Sequence, residues 1–481
     1  MCNIIDLVEN VFDYFSELLK FVSLIIIWYF AGEKTKLNLN TIKNMLTRRS
    51  FLKKSSAVLA AGVMHSLFAP YEAAARKVDA NDKIRVALIG CRNMGWSDLS
   101  DFMRHPEIDC VALCDIDQNI LRNRAAEIEK SRSKRPEVYT DYRKLLDRQD
   151  VDIVIIGTPD HWHCLQMTDA CSAGKDVYVE KPIANSIAEC DAMVKAAERY
   201  GRVVQVGQQQ RSGEHWAEMK RFIDGGTLGK ISCVDVWGNF AYAALGKPVA
   251  DTPVPEGVDF DMWLGPAPER TFNPQRFHGS WRMFWDYGGG LLTDWGVHLL
   301  DMALWGMNVD GMPKRVLAAG GKWAFPENAP ETFDTLSVIY EFNDFQIRWS
   351  NHAGAEMGPY NRNYGLAFQG TNGTLVINRE GWEVIPNGKK IEAFTGKADF
   401  NDHKKHVDNF LACVRSRSFN TACTIQNGSL CAKYAHLGNI SARIGESLTY
   451  DDGKHTFHNK EADKLVCPDY RSPWRLPEWK D

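Results

Sequence analysis

The chain has 481 residues, 44% of them hydrophobic and 25% charged, and its 57 Lys and Arg against 61 Asp and Glu give a formal net charge of -4. That length and balance suit two domains with real cores and exclude a disordered or fibrous protein. No basic face interleaved with aromatics, no Cys-x-x-Cys pair and no internal repeat stands out, so no nucleic acid partner and no structural zinc are expected. Most of the 12 cysteines fall in apolar patterns, with Cys110, Cys114 and Cys233 in strands and Cys171 and Cys431 in helices. They read as small buried hydrophobes rather than a disulfide framework.

At the N-terminus, Thr47-Arg48-Arg49-Ser50-Phe51-Leu52-Lys53 precedes an apolar run from Ala57 to Val63 and then Ala73-Ala74-Ala75. Basic pair, apolar stretch and small residues come in the order of a twin-arginine export signal, so residues 1–75 are expected to be leader, with cleavage near Arg76. Residues 1–44 lie ahead of Met45, which is expected as the true start, making them a misassigned extension. Their apolar run from Phe21 to Phe30 is shorter than the ~20 residues a membrane helix needs. The location expected is therefore periplasmic, with no membrane attachment beyond export. A protein exported folded, into a compartment without a free nicotinamide pool, is expected to hold any such cofactor tightly and regenerate it within its own reaction.

The first domain is expected over residues 82–205. Lys83 to Gly90 is a β-branched strand signal, followed by Cys91-Arg92-Asn93-Met94-Gly95 and a helical pattern. Strand, glycine turn and helix in that order make a dinucleotide fingerprint: the first glycine permits the turn, the last lets helix approach strand, and a pyrophosphate sits on the helix N-terminus. Arg92 replaces the usual middle glycine, and its guanidinium could contact phosphate directly. The second strand, Asp109 to Asp115, ends in a carboxylate about 20 residues on, where the ribose hydroxyls need an acceptor. Asp115 favours NAD, with Asp117 repelling a 2′-phosphate, while Arg122 and Arg124 leave NADP open. A third apolar strand, Val151 to Ile156, runs into a loop, Gly157-Thr158-Pro159-Asp160-His161-Trp162-His163, at the carboxyl end of a parallel strand, where such sheets bind ligands. His161 and His163 lack a third ligand and read as polar loop groups, so no metal is expected. The run Asp176 to Glu180 then carries Lys181-Pro182 to the same edge.

The second domain is expected over residues 206–481, starting after Gln205 to Arg211 and continuing with a strand from Ile231 to Trp237. Its most telling stretch, Trp281 to Asp301, contains Gly288-Gly289-Gly290 and then Asp294 and His298, four residues apart in a helical pattern. That spacing places both on one helical face, where the carboxylate can orient the imidazole. Removing a hydride from a carbinol also removes a hydroxyl proton, for which His298 is a suitable base. Lys181 supplies positive charge for the developing alkoxide. Trp162, Trp281, Trp285 and Tyr287 offer aromatic faces to a sugar ring, and Arg211, Trp285 and Tyr287 are candidate substrate contacts. Further strands are expected at Asp334 to Tyr340, Leu366 to Phe368 and Thr374 to Ile377, with helices at His406 to Leu411 and Ala432 to Ile444.

Over roughly residues 82–445 the chain resembles the glucose-fructose oxidoreductase and inositol dehydrogenase family (Gfo/Idh/MocA). The carriers are the Gly90 to Gly95 turn, Thr158-Pro159 with His163, Glu180-Lys181-Pro182, and Gly288 to Gly290 through Asp294 and His298. The resemblance implies an α/β fold: an N-terminal Rossmann dinucleotide-binding domain, then a C-terminal α/β domain with an open, mostly antiparallel sheet. It implies a bound NAD or NADP, a sugar or polyol substrate, and a homo-oligomer, dimer or tetramer. It also implies catalysis by Lys181, Asp294 and His298, with Gly90, Arg92, Asn93, Met94, Gly95, Asp115, Thr158, Pro159, His163, Glu180 and Lys181 around the cofactor. The expected activity is NAD(P)-dependent oxidation or reduction of a sugar, glycoside or polyol hydroxyl. The alternatives are an NAD-dependent glycosidase, working by transient oxidation, elimination and re-reduction, and a sugar-binding protein without catalysis.

Overall fold

The computed structural model describes residues 83–479, so the twin-arginine stretch and everything before it lie outside the described residues. Six short apolar runs form one parallel sheet: β1 (Ile84–Ile89), β2 (Ile108–Cys114), β3 (Glu137–Tyr139), β4 (Ile153–Ile156), β5 (Asp176–Val179) and β6 (Val204–Val206). Their order is β3-β2-β1-β4-β5-β6, and every ladder is parallel. β1, β4 and β5 are almost wholly buried because helices cover both faces, which is why they read as continuous apolar runs rather than alternations. The order reverses between β1 and β4, and there a crevice opens at the carboxyl ends of the strands.

The helices of this half are α1 (Asn93–Phe102), α2 (Gln118–Arg132), α3 (Tyr142–Leu146), α4 (Asp160–Ser172) and α5 (Ile187–Tyr200). Their ends follow from local chemistry. Asp117 caps α2 by accepting from the Asn119 amide, and Ser186 with Glu189 makes a reciprocal capping box on α5. The stretch expected as a loop after β4 is shorter than the sequence suggests. Pro159 caps α4, so His161, Trp162 and His163 are helical and buried.

The second half begins with α6 (Glu214–Asp224), β7 (Ile231–Gly238) and α7 (Phe260–Leu264). A π-helical turn at Leu292–Gly296 then runs directly into α8 (Val297–Gly306). Seven strands follow: β8 (Arg315–Gly321), β9 (Thr335–Glu341), β10 (Gln346–His352), β11 (Tyr364–Gly370), β12 (Gly373–Asn378), β13 (Gly381–Pro386) and β14 (Phe394–Lys397). With β7 they form an eight-stranded sheet, ordered β14-β13-β12-β11-β7-β10-β9-β8 and antiparallel except between β7 and β10. β9 alternates buried and exposed positions, the signature of a sheet covered on one face. α6, α8 and α10 (Ile425–Ile444) supply Trp216, Leu299, Leu300, Tyr434 and Leu437 to that face's core.

The chain then returns to the nucleotide half. α9 (Asp402–Ser416) places Val407, Phe410, Leu411 and Val414 in one core with Ile84, Leu88 and Phe102, and α11 (Lys460–Asp463) precedes a tail whose Trp474 packs edge-on against Trp162. α10 joins the two halves, since its Ile425 and Ala432 pack in the first sheet's core and its Tyr434 and Leu437 in the second's.

Candidate active site

The first pocket lies in the β1/β4 crevice and is lined by Gly90, Arg92, Asn93, Met94, Asp115, Thr158, Pro159, Glu180 and Lys181, with Asp160, His278, Trp281 and Arg282. Gly90 turns with φ +87°, and a Cβ there would meet Gly157 backbone atoms at 2.8 Å. At Gly95 a Cβ would lie 2.2 Å from the Gly90 carbonyl, so helix, turn and strand close only on glycine. Position 92 is different: Arg92 is extended at φ -112°, a conformation open to any residue, and its side chain lines the pocket. Left-handed backbone falls instead on Asn93 (φ 35°), a residue type that tolerates it. No side chain caps α1, which leaves its first amides facing the crevice for a pyrophosphate. These features fit a dinucleotide.

Asp115 lines the crevice where β2 ends. Its Oδ2 accepts from the Cys91 amide at 2.7 Å and its Oδ1 from the Asp117 amide at 3.0 Å, so it also ties the glycine turn to β2. Burial raises its carboxyl while those amides lower it. Arg122 bonds Asn119, and Arg124 bonds the Cys91 carbonyl, pairs with Glu127 and stacks over Trp96 at 4.2 Å. Both arginines are engaged away from the pocket. The second half closes over this end. The Gln118 amide donates to Gly257 O and the Asp259 amide to Ile116 O, both at 2.9 Å, while His278 Nε2 lies 3.3 Å from Asp117 Oδ2. Burial and the nearby Arg92 push His278 down to about 4, with Asp117 opposing them.

A second pocket adjoins the first, and Met94, Glu180, Lys181 and Arg282 line both. It adds Gln209, Tyr242, Asp294, Trp295, His298, Arg379 and His403. Lys181 Nζ donates to Asp294 O at 2.9 Å and to Asp294 Oδ1 at 3.0 Å. Arg282 Nε donates to the same oxygen at 3.1 Å, and Tyr242 Oη donates to Oδ2 at 2.6 Å. Burial alone would raise the Asp294 carboxyl, but Lys181, Arg282 and Tyr242 overcome it and hold it below the usual range, fully ionised. Burial and the Asp294 charge raise the Tyr242 phenol, which stays protonated. The π turn that carries Asp294 is a geometry frequent at functional sites.

Asp294 does not orient His298. The carboxylate is occupied by Lys181, Arg282 and Tyr242, and His298 Nδ1 has no hydrogen-bond partner. Burial, then the charges of Lys181, Arg379, His403 and Arg282, hold the imidazole well below 6.5, so it is neutral and free to accept a proton.

Other expected contacts lie elsewhere. His163 is buried, its Nδ1 2.8 Å from Pro182 O and its Nε2 2.8 Å from Thr158 O, so it braces the two loops of the crevice instead of lining it. Thr158 and Pro159 do line it. Glu180 accepts from Gln209 at 2.9 Å, and burial raises it despite Lys181. Arg211 is locked in a bidentate pair with Asp301, because two buried charges need each other. Tyr287 is fully buried against His161 and Trp263, and Trp285 lies under Arg443 beside Phe333; neither lines the pocket. Tyr242, Arg379 and His403 carry no motif. Only Arg282, inside the Trp281 to Asp301 stretch, had a signal next to it.

Residues 84–208 match the model of an oxidoreductase family described as its NAD-binding Rossmann fold, and residues 214–476 match that family's C-terminal alpha/beta domain. The chain belongs to the Gfo/Idh/MocA oxidoreductase family. Its first domain is the family's NAD-binding Rossmann domain. An alpha-N-acetylgalactosaminidase from Shewanella oneidensis is 33% identical over 169 residues, 32% of this chain and 37% of that relative. A glycosyl hydrolase family 109 protein from Shewanella putrefaciens is 38% identical over 122 residues, 24% of this chain and 27% of that one. The matches thus span well under half the length of these curated relatives. Among solved structures, an aldose-aldose oxidoreductase from Caulobacter crescentus has a TM-score of 0.59 at 19% identity, covering 76% of this chain and 99% of that one. A levoglucosan dehydrogenase solved with NADH and levoglucosan gives the same TM-score, identity and coverage. Both share the fold.

Proposed function

We propose that this chain is an NAD-dependent oxidoreductase that removes a hydride and a proton from a hydroxyl-bearing carbon of a sugar, glycoside or polyol. One observation carries the reading: the dinucleotide crevice opens, through Lys181, Glu180, Met94 and Arg282, onto a pocket holding a neutral, unpartnered His298. Bound NAD supplies the hydride acceptor. In the second pocket the hydroxyl lies between the Lys181 ammonium and the His298 imidazole. As the C–H bond breaks and the C–O bond gains double-bond character, the hydroxyl proton passes to His298 and Lys181 stabilises the oxygen's negative charge. The burial that keeps His298 neutral also makes it a weak base, so the proton transfers only as the carbonyl forms. Asp294 holds Lys181 in place and, with Arg282 and Tyr242, is fully satisfied.

A second reading, an NAD-dependent glycosidase, is favoured by the curated relatives named as glycosyl hydrolases. In it the same oxidation is transient: a base takes the proton from the carbon beside the new carbonyl, the glycosidic C–O bond breaks by elimination with a proton going to the departing alcohol, water adds to the double bond formed, and the hydride returns to the sugar carbonyl. Tyr242 lines this pocket too, but its proton is donated to Asp294 and its phenol is raised, so it braces the carboxylate and is not the acid for the leaving oxygen. Product analysis separates the two, since the first leaves a keto-sugar and the second a free reducing sugar. If neither forms from any member of a broad panel of sugars, polyols and glycosides, the reading fails.

Export belongs to the same proposal, resting on the twin-arginine stretch Thr47 to Lys53 and the run to Ala75. A periplasmic enzyme must keep its cofactor, which agrees with the closure over the adenosine end by Gly257, Asp259 and His278. A dimer or tetramer is part of it too, formed on the uncovered face of the eight-stranded sheet where Ser337 and Ile339 stand exposed.

A further inference from the structure

The second pocket holds more positive charge than its own carboxylates use. Lys181 and Arg282 both serve Asp294. Glu180, the other carboxylate in its wall, is buried beside Lys181 and bonded by Gln209. Arg379 remains. Only its Nε is engaged, donating to Gln210 Oε1 at 3.0 Å, and its guanidinium lies over the Trp295 ring at 4.7 Å. Among the described residues no carboxylate comes within 4.0 Å of it, though it is half-buried and lines the pocket. Burial is the main influence on it and disfavours its charge; Tyr364, Asp402, Asp294 and Glu180 favour it, and none of them pairs with it. His403, in the first turn of α9, lines the same pocket.

The two terminal nitrogens of Arg379 make no hydrogen bond among the described residues, and the terminal nitrogens of a guanidinium match the oxygens of a carboxylate or sulfate in a planar fork. Trp295 holds that fork flat, and the Gln210 bond fixes its Nε edge, leaving the other edge for a ligand. Neutral hydroxyls, in contrast, would leave the charge uncompensated.

We infer that the substrate is an anionic sugar, one carrying a carboxylate or a sulfate ester, and that Arg379 receives that group while Lys181 and His298 act on a hydroxyl of the same molecule. This rests on the second pocket being the sugar site of the proposed oxidoreductase. It deepens that reading by naming the substrate class.

Calorimetric titration of the NAD-loaded protein with D-glucuronate, D-galacturonate and D-glucose 6-sulfate, against D-glucose and D-galactose, tests it without depending on turnover. At least one anionic sugar should bind about tenfold or more tightly than its neutral parent, the value of one charged hydrogen-bond pair. Comparing the uronates with the sulfate ester tells which oxyanion fits. Arg379→Met should abolish the preference of anionic over neutral sugar, and Arg379→Lys should keep part of it. If no anionic sugar binds more tightly than its neutral parent, the inference is overturned, and this wild-type comparison decides the matter even if Arg379→Met fails to fold. An anionic sugar that binds tightly yet yields neither keto-sugar nor reducing sugar would uphold the inference about the pocket and refute the oxidoreductase reading.

Discussion

Replacing Lys181 by Met separates catalysis from folding. The ammonium donates to both the carbonyl and Oδ1 of Asp294 and is 9% exposed. Breaking a buried ion pair costs about 3–5 kcal/mol when the surviving charge is stranded. Asp294 is not stranded, because Arg282 keeps Oδ1 at 3.1 Å and Tyr242 keeps Oδ2 at 2.6 Å. The loss reduces to the charged hydrogen bonds themselves, about 2–3 kcal/mol, which a protein of this size survives. Turnover loses the charge beside the forming carbonyl, worth about 10²–10³ in kcat by analogy with removal of one oxyanion donor. The variant should therefore melt as a single folded species, release as much NAD on denaturation as the native protein, and turn over about a hundredfold or more slowly. A kcat within about threefold of native, less than 1 kcal/mol, would refute the role given to Lys181.

Four further outcomes follow from the geometry. His298→Asn should lower kcat by about 10²–10⁴ while cofactor content stays stoichiometric, and native kcat should show no break near pH 6.5, since the folded imidazole is held well below that value; a break there would mean the ring titrates. His278→Ala should speed release of NAD by removing the contact to Asp117 across the adenosine end, read as faster exchange into added labelled NAD; unchanged exchange would show that this closure does not retain the cofactor. Gly95→Ala should abolish dinucleotide binding, because its Cβ would fall 2.2 Å from the Gly90 carbonyl. His436, buried with Nε2 3.1 Å from Ala184 O, is pushed down to about 4 by burial. The unfolded chain takes up a proton below about pH 6.5 that this ring refuses, so native stability relative to His436→Gln should fall as pH drops from about 6.5 toward 4, by about 1.4 kcal/mol per unit. Denaturant titrations at pH 7 and pH 5 would read it, and a constant difference would contradict the neutral ring.

Much of this architecture was legible because its signals are local. Lys83 to Gly90, the glycine turn and the acidic end of β2 lie within one strand-turn-helix unit, and Lys181 follows directly on a buried strand. Four strands of the second sheet, β7, β9, β11 and β12, showed themselves as apolar runs, whereas the Ala- and Gly-rich β8 and the more polar β10, β13 and β14 did not; α9 and α10 showed helical periodicity, although each helix runs further than its clearest apolar run. Pairings across the fold left no such trace. Asp294 and His298 sit four apart, but the partners of Asp294 come from β5's end, the Ser280–Met283 turn and the segment after β7, brought together only by the fold. Arg211 resembles a ligand-binding arginine in sequence, and only folding shows Asp301 neutralising it. Tyr287 has the character of a sugar platform, yet closes an aromatic core with Trp263 at 4.8 Å. Arg379, just past β12, is visible as a pocket cation only once the fold lays it over Trp295 of the π turn.

The most direct test is to purify the protein, denature it, and quantify the dinucleotide released before and after incubation with candidate sugars, both neutral and anionic. The account predicts close to one NAD per chain, converted to NADH as a keto-sugar accumulates, or left as NAD while a glycoside yields free reducing sugar. A protein that releases no dinucleotide and fails to bind added NAD would contradict it.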